Sequence, residues 1–331
     1  LPWSSLIQVA FGSVTKHVLV AVPLFIFAGM AMLRGGAASR LVHFAVTLVG
    51  HWPGGLGIAM ILAMGFFAAF CGSILAAITA IGTIMIPKMV EQGYPKPFVI
   101  VLAASAAFLE ALIPPSNAAI LFSALTDVPV SKTFAAGILP GLVLMGLLSL
   151  VVIWKCRQLK VSERASSKDK LKAFWEALPG LFTPIIILGG IYSGLFTPSE
   201  SAAVAGLWGI VIGTVIYKEL TLSGVVDALY ETSRITSIIF AIIAMATFLS
   251  VVLTYTQAPQ KIINFFLELG GTQVTFWISV AVICLILGTF VEIVPVFYLT
   301  VPIFAALALS LNLHVLHLYI VFANNQFVSY T

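Results

Sequence analysis

Few residues in this chain can do chemistry, and several of them share one stretch, LEALIPPSNAAILFSAL, residues 109–125. Glu110 brings an ionisable carboxyl, Ser116 a hydroxyl and Asn117 an amide, arranged about the double proline Pro114–Pro115. Two consecutive prolines remove two backbone donors and push Ile113 out of the α region, so a helix running up to this point must stop. A second half-helix can start at once, with Ser116 and Asn117 in its first turn, where free N–H groups and a partial positive charge attract an anion or carboxylate. Carbonyls freed near Ile113 and Pro114 are hard oxygens that suit a sodium ion. A mere proline kink is the plainer alternative. Glu110 has no Lys or Arg within 13 residues on either side. Buried there, its carboxyl requires a proton, a bound sodium or a basic residue brought close by folding.

Two further groups have the same character. GSILAAITAIGTIMIP, residues 72–87, opens on Gly72-Ser73, and a similar pair, Gly288-Thr289, lies 216 residues later with Glu292 just beyond. Each pair joins two short apolar legs. Unpaired backbone at such a tip survives at membrane depth only where protein or a cavity satisfies it, and Gly with a hydroxyl residue is suited to it. Gly72, Ser73 and Gly288 are therefore candidate sodium ligands, mostly through backbone, and Thr289 and Glu292 candidate substrate contacts.

The elements that must hold these residues follow from composition. With 61% hydrophobic and 8% charged residues over 331 positions, the chain cannot present a polar surface to water. Its apolar runs suit helices better than the alternating strands of a barrel, so an all-α polytopic membrane protein is expected. Cys71, Cys156 and Cys284 form no C-x-x-C or Cys/His cluster, and His314 with His317 has no carboxylate nearby, so no metal or disulfide framework is indicated. The absence of H-E-x-x-H, G-x-S-x-G and P-loop motifs argues against an enzyme. Glu200 reads as a helix N-terminal acid beside Thr197.

Seven of the 16 basic residues (Lys155, Arg157, Lys160, Arg164, Lys168, Lys170 and Lys172) crowd one segment, which the positive-inside rule places in the cytoplasm. It divides the chain into a first repeat at 1–157, with a hairpin about 53–90 and a broken helix about 97–125, a basic loop at 158–176, a connecting helix at 177–198, and a second repeat at 199–331 with a hairpin about 272–310. If both legs of each hairpin cross, Arg34 and Arg40 fall outside and 12 basic residues lie inside; if the hairpins are re-entrant, the repeats are inverted, Arg34 and Arg40 stay inside and the count is 13. The charge count barely separates them, and the tip chemistry favours re-entrance. Inverted repeats with broken helices point to a secondary transporter with its site at the repeat interface. The chain opens on Leu1-Pro2-Trp3 and stops at Tyr330-Thr331, which reads as a fragment.

Several separated motifs, in order, carry a family resemblance: VPLFIFAGMAMLRGGAASRLVHFAVTLVGHWPGGL (22–56), the Gly72-Ser73 tip with Gly82 and Pro87, IPPS (113–116), AAGILPGLVLM (135–145), FTPSESAAVAGLWG (196–209) and GTFVEIVPVFYLTVPIF (288–304). Over essentially its whole length the chain resembles the large membrane subunit of tripartite ATP-independent periplasmic (TRAP) transporters, the DctM-like family. That resemblance implies an elevator-type, sodium-driven importer of an organic acid such as a C4-dicarboxylate or sugar acid, in a bacterial inner membrane. It also implies two partners, a small four-helix membrane subunit and a periplasmic substrate-binding protein. Cys71 and Glu110 stand where the family usually has Ser and a small residue. A binding-protein-independent elevator symporter of dicarboxylates is the alternative.

Overall fold

The computed structural model describes residues 3–157, 164–268, 270–291 and 293–330, and the regular structure among them is helical throughout. After α1 (Trp3–Val14) come α2 (Ala21–Arg34) and the short α3 (Ala37–Val49). A first hairpin follows, α4 (Gly55–Cys71) and α5 (Ile74–Glu91), then a chain of three pieces, α6 (Lys96–Ala107), α7 (Leu109–Leu112) and α8 (Asn117–Thr126). The long α9 (Val130–Cys156) leads to α10 (Ser167–Tyr192), α11 (Pro198–Ile216), the 34-residue α12 (Leu222–Tyr255) and α13 (Ala258–Glu268). A second hairpin, α14 (Gln273–Phe290) and α15 (Ile293–Ser310), precedes α16 (Val315–Tyr330). Among the described residues, eight helices are long and apolar enough to cross a membrane, or nine with the broken one counted as a span.

The sequence explains the first hairpin directly. α4 is apolar on every side and almost wholly buried, as a helix without a polar face must be. Its 17 residues span about 26 Å, short of about 30 Å of hydrocarbon. Gly72 then adopts a left-handed φ of 64°, and a Cβ there would lie 2.7 Å from the Pro115 carbonyl oxygen. Only glycine meets both demands. The tip is thus pressed against the break in the α6–α8 chain.

α9 acts as a ruler for depth. Near its C-terminal end a Cβ on Gly57 would meet Val152 at 2.7 Å, further along a Cβ on Gly65 would meet Met145 at 2.8 Å, and a Cβ on Gly137 would lie 2.1 Å from the Leu112 carbonyl oxygen. From Val152 to Gly137 is about 22 Å of helix, and Val130 is about 10 Å further. The first hairpin therefore turns back before the far end of α9. The second enters from that far end: Ile293 and Val294 begin beside Gly72 and Asn117, α15 then follows α8 outward with Phe297 against Phe122, and Gln273 Nε2 donates to the Leu311 carbonyl at its base.

Charged residues gather at the Val152 end. Arg40 pairs with Glu219 at 2.7 Å and lies 3.9 Å over the Tyr217 ring, whose hydroxyl donates to the Glu176 carbonyl at 2.7 Å. Arg34 reaches Asp227 and Glu231, each at 3.3 Å. Glu176 sits near the start of α10, so both arginines share an end of the bundle with the basic segment.

Two expected boundaries are corrected. Residues 167–176, expected as loop, are the start of α10, because Ser166 and Asp169 form a capping box and the lysines that follow are good helix formers. The connecting helix consequently runs Ser167–Tyr192 instead of 177–198, and Pro198 already opens the next helix behind a Thr197–Glu200 capping box. Gln158–Glu163 of the basic loop lie outside the described residues.

Candidate functional site

The α6–α8 chain bends by 43° across its break. Ile113, held by the following proline, is extended at φ −77° and ψ 121°, and the Pro114–Pro115 bond is cis. α8 restarts with Ser116 as its N-cap: the Ser116 hydroxyl accepts from Ala119 N at 3.3 Å and donates to the Ala111 carbonyl at 2.8 Å. Tyr319 reaches across from α16 to donate to the same carbonyl at 2.6 Å. The fully buried Ser116 is thus committed to holding the break together, and Ala111 O is already satisfied twice.

Below the break lies a cavity of about 240 Å³. Gly72, Ser73, Ile74 and Leu75 supply one wall from the hairpin tip, Glu110 and Ala111 a second from α7, and Asn117, Ala118 and Leu121 a third from the first turns of α8. Ile235, Ile238 and Ile239 of α12, Val22 of α2, and Ile293 and Val294 of the second hairpin complete its lining, and the space is open on the side of Leu75 and Ile238. Its polar groups are few and unspent. Glu110 is 1% exposed; the Gly72 and Ser73 backbone amides approach its carboxyl, but neither oxygen meets full hydrogen-bond geometry. Asn117 Oδ1 is likewise buried and unpartnered. Ser73 is extended at the N-cap of α5, yet its side chain caps nothing.

Of the residues singled out from sequence, Gly72, Ser73, Glu110 and Asn117 converge on this cavity, whereas Ile113, Pro114 and Ser116 form the break behind it. Ile113 is instead packed where a Cβ on Gly141 would meet its side chain. The second turn comes near the end of the Gly288–Glu292 stretch expected to hold the tip, not at its Gly288-Thr289 start. α14 continues through Gly288 and Thr289 to Phe290, and the chain turns only at Val291. Thr289 faces outward and donates to the Leu285 carbonyl at 2.8 Å, so its hydroxyl is used up within the helix; the Gly-Thr pair does not interrupt a helix whose backbone bonds continue past it. Neither Gly288 nor Thr289 lines the cavity, and Glu292 lies outside the described residues.

Sequence reasoning did not find Tyr319, Val22 or the isoleucines of α12. They are apolar-helix residues like dozens of others, and Tyr319 is 208 positions from its partner. His314 and His317 sit with ring centroids 6.2 Å apart, and no metal-binding cluster of three or more His, Cys, Asp or Glu occurs among the described residues. All three cysteines are buried and free of disulfides.

Comparison with known proteins places this geometry. The family model described as "Tripartite ATP-independent periplasmic transporter, DctM component" matches residues 1–330. The chain is 39% identical to the C4-dicarboxylate TRAP transporter large permease protein DctM of Pseudomonas aeruginosa, over 96% of this chain and 74% of that one. It is 36% identical to a Vibrio cholerae protein of the same description, over 98% and 76%, and 33% identical to the isethionate TRAP transporter permease protein DctMQ of Oleidesulfovibrio alaskensis, over all of this chain and 52% of that longer one. In fold it resembles the Alcanivorax borkumensis YdaH transporter, whose crystal structure is described as having an unusual topology, with a TM-score of 0.66 at 14% identity over 99% of this chain and 76% of the other. An all-helical polytopic chain whose two hairpins meet a broken helix at one cavity, matched end to end by one family, belongs to the DctM family of TRAP transporter large membrane subunits.

Proposed function

We propose that this chain is the substrate-translocating subunit of a sodium-coupled importer of an organic acid, such as a C4-dicarboxylate or sugar acid, in the bacterial inner membrane. It works with a small four-helix membrane subunit and a periplasmic binding protein. The observation that carries the reading is the cavity where the Gly72-Ser73 tip, the first turn of α8 and the start of α15 meet. There the positive end of α8 is available to a carboxylate. Relatives named for C4-dicarboxylates, sialic acid, ectoine and 2,3-diketo-L-gulonate support the general class of cargo.

Sodium is assigned to the tip and the break. The free Ser73 hydroxyl and the backbone of Gly72, Ile113 and Pro114 supply the hard oxygens such an ion needs, and Gly288 marks the corresponding region of the second half. Holding an ion there fixes the tip against the break and so couples ion binding to closure of the cavity. The two arginines that share an end with the basic segment, and the two hairpins that enter from opposite ends, favour re-entrant hairpins in inverted repeats. An elevator movement of the two hairpins and their broken helices then exposes the cavity on alternate sides of the membrane.

The test is uptake into proteoliposomes containing the full-length protein, its small subunit and its binding protein. Uptake is expected to require an inward sodium gradient and both partners. Robust uptake by the large subunit alone, or uptake indifferent to sodium, overturns the proposal.

A further inference from the structure

The charge of the cavity is opposite to that expected of a site for a plain anion. The Glu110 carboxyl is almost fully buried and forms part of the wall; the neutral Gly72 and Ser73 amides approach it, neither in full hydrogen-bond geometry, and among the described residues no cation faces it. Asn117 adds a second unpartnered acceptor. No Lys, Arg or His lines the cavity among the described residues. A buried carboxylate without a counter-charge is costly and otherwise takes up a proton or a metal cation, so an organic occupant that brings a positive group or a donor is favoured here over one that brings neither.

Size and wall chemistry narrow the occupant. A volume of about 240 Å³ is many times the roughly 10–15 Å³ that one water-sized body needs, far more than a lone ion occupies. Most of the remaining wall is aliphatic, from Ile74, Leu75, Leu121, Ile235 and Ile238, and suits a small organic body. The site is also bipolar. The first turn of the ten-residue α8 presents its positive end, while Glu110 stands on the adjoining wall.

We propose that the cavity takes an organic acid that also carries a protonated nitrogen, with the nitrogen on the Glu110 carboxyl and the Asn117 side-chain carbonyl and the acid group at the first turn of α8. This rests on the reading of the cavity as the substrate site and names the class of cargo. Glu110 is then a specificity-determining residue: it rewards a zwitterion and repels an anion of the same shape.

Thermal unfolding of the full-length protein, purified with its small subunit and followed by tryptophan fluorescence, tests it with four probes at matched ionic strength: methylammonium, sodium, and the pair aspartate and succinate, which differ by one ammonium group. Methylammonium is expected to raise the unfolding temperature of the parent, and aspartate to do so at concentrations at least tenfold lower than succinate. Both preferences are expected to vanish in Glu110→Gln and to persist in Glu110→Asp. The proposal is overturned if methylammonium gives no shift in the parent, if aspartate and succinate act alike, if the preference survives Glu110→Gln, or if sodium alone produces the Glu110-dependent shift. Uptake by the three-component system reports separately on whether the cavity is a transport site. A protein that transports but ignores methylammonium loses only the cationic subsite.

Discussion

The two hairpins are made of similar material and end up in different surroundings. The legs of the first are joined by Gly72-Ser73, its leading helix is buried almost throughout, and its tip touches Pro115. The second is just as apolar, yet Ile278, Ile286 and Phe290 on α14 are exposed, and only the start of α15 reaches the cavity. Apolarity decided that both lie in or against a membrane. The partner surface decided the rest: α9 offers the first hairpin and the adjacent break a row of close approaches at Val152, Met145 and Gly137, whereas α14 keeps one face open.

Accessibility labelling gives the largest, all-or-none contrast between the hairpins. A cysteine replacing Gln92, at the base of the first, is expected to react with a membrane-impermeant maleimide only from the cytoplasmic side, and one replacing Gln273 only from the periplasmic side. Labelling of both from one face breaks the inverted arrangement.

Next in size is the support beneath the first hairpin. In Gly137→Ala the new Cβ would lie 2.1 Å from the Leu112 carbonyl, which is backbone and cannot swing away. Little folded protein is expected by size-exclusion chromatography, with a loss of about 3 kcal/mol or more, at the upper end of core overpacking because the obstacle is backbone. Gly146→Ala, on the same helix but with nothing within 4 Å, is expected to be neutral or stabilising by up to about 1 kcal/mol. Equal behaviour of the two would remove α9 as the support.

At the tips, Ser73→Ala is expected to weaken sodium by about 1 to 3 kcal/mol, read as a rightward shift in the sodium dependence of uptake larger than any change in substrate affinity. Thr289→Ala, whose hydroxyl only bonds its own helix, is expected to stay within about 0.5 kcal/mol of the parent in stability and to leave sodium dependence unchanged. An effect at Thr289 as large as at Ser73 would restore the second Gly-Thr pair as a functional tip. A smaller effect than at Ser73 is expected from Tyr319→Phe, which removes one of two donors to Ala111 O and costs about 0.5–1.5 kcal/mol of thermal stability without altering ion selectivity.

What the sequence by itself determined was everything that depends on local backbone chemistry and bulk composition. Helical legs with a turn at Gly72-Ser73 follow from apolar content and one left-handed glycine, and the break before Ser116 follows from two prolines that no helix can absorb. The same logic failed at Gly288-Thr289, because a glycine and a hydroxyl permit a turn without requiring one; there the uninterrupted hydrogen-bond ladder carried the helix on to Phe290. It failed again at 167–176, where charge was read as loop although lysines are compatible with a capped helix. Only the tertiary structure decided that Ser116 is spent on capping while Glu110 and Asn117, seven positions apart across the break, face one cavity with no charged partner. It also decided that Tyr319 braces that break from the other half of the chain. Whether a polar group is satisfied depends on which distant backbone atom folding brings to it, and that information is absent from any stretch of sequence short enough to be read as a motif.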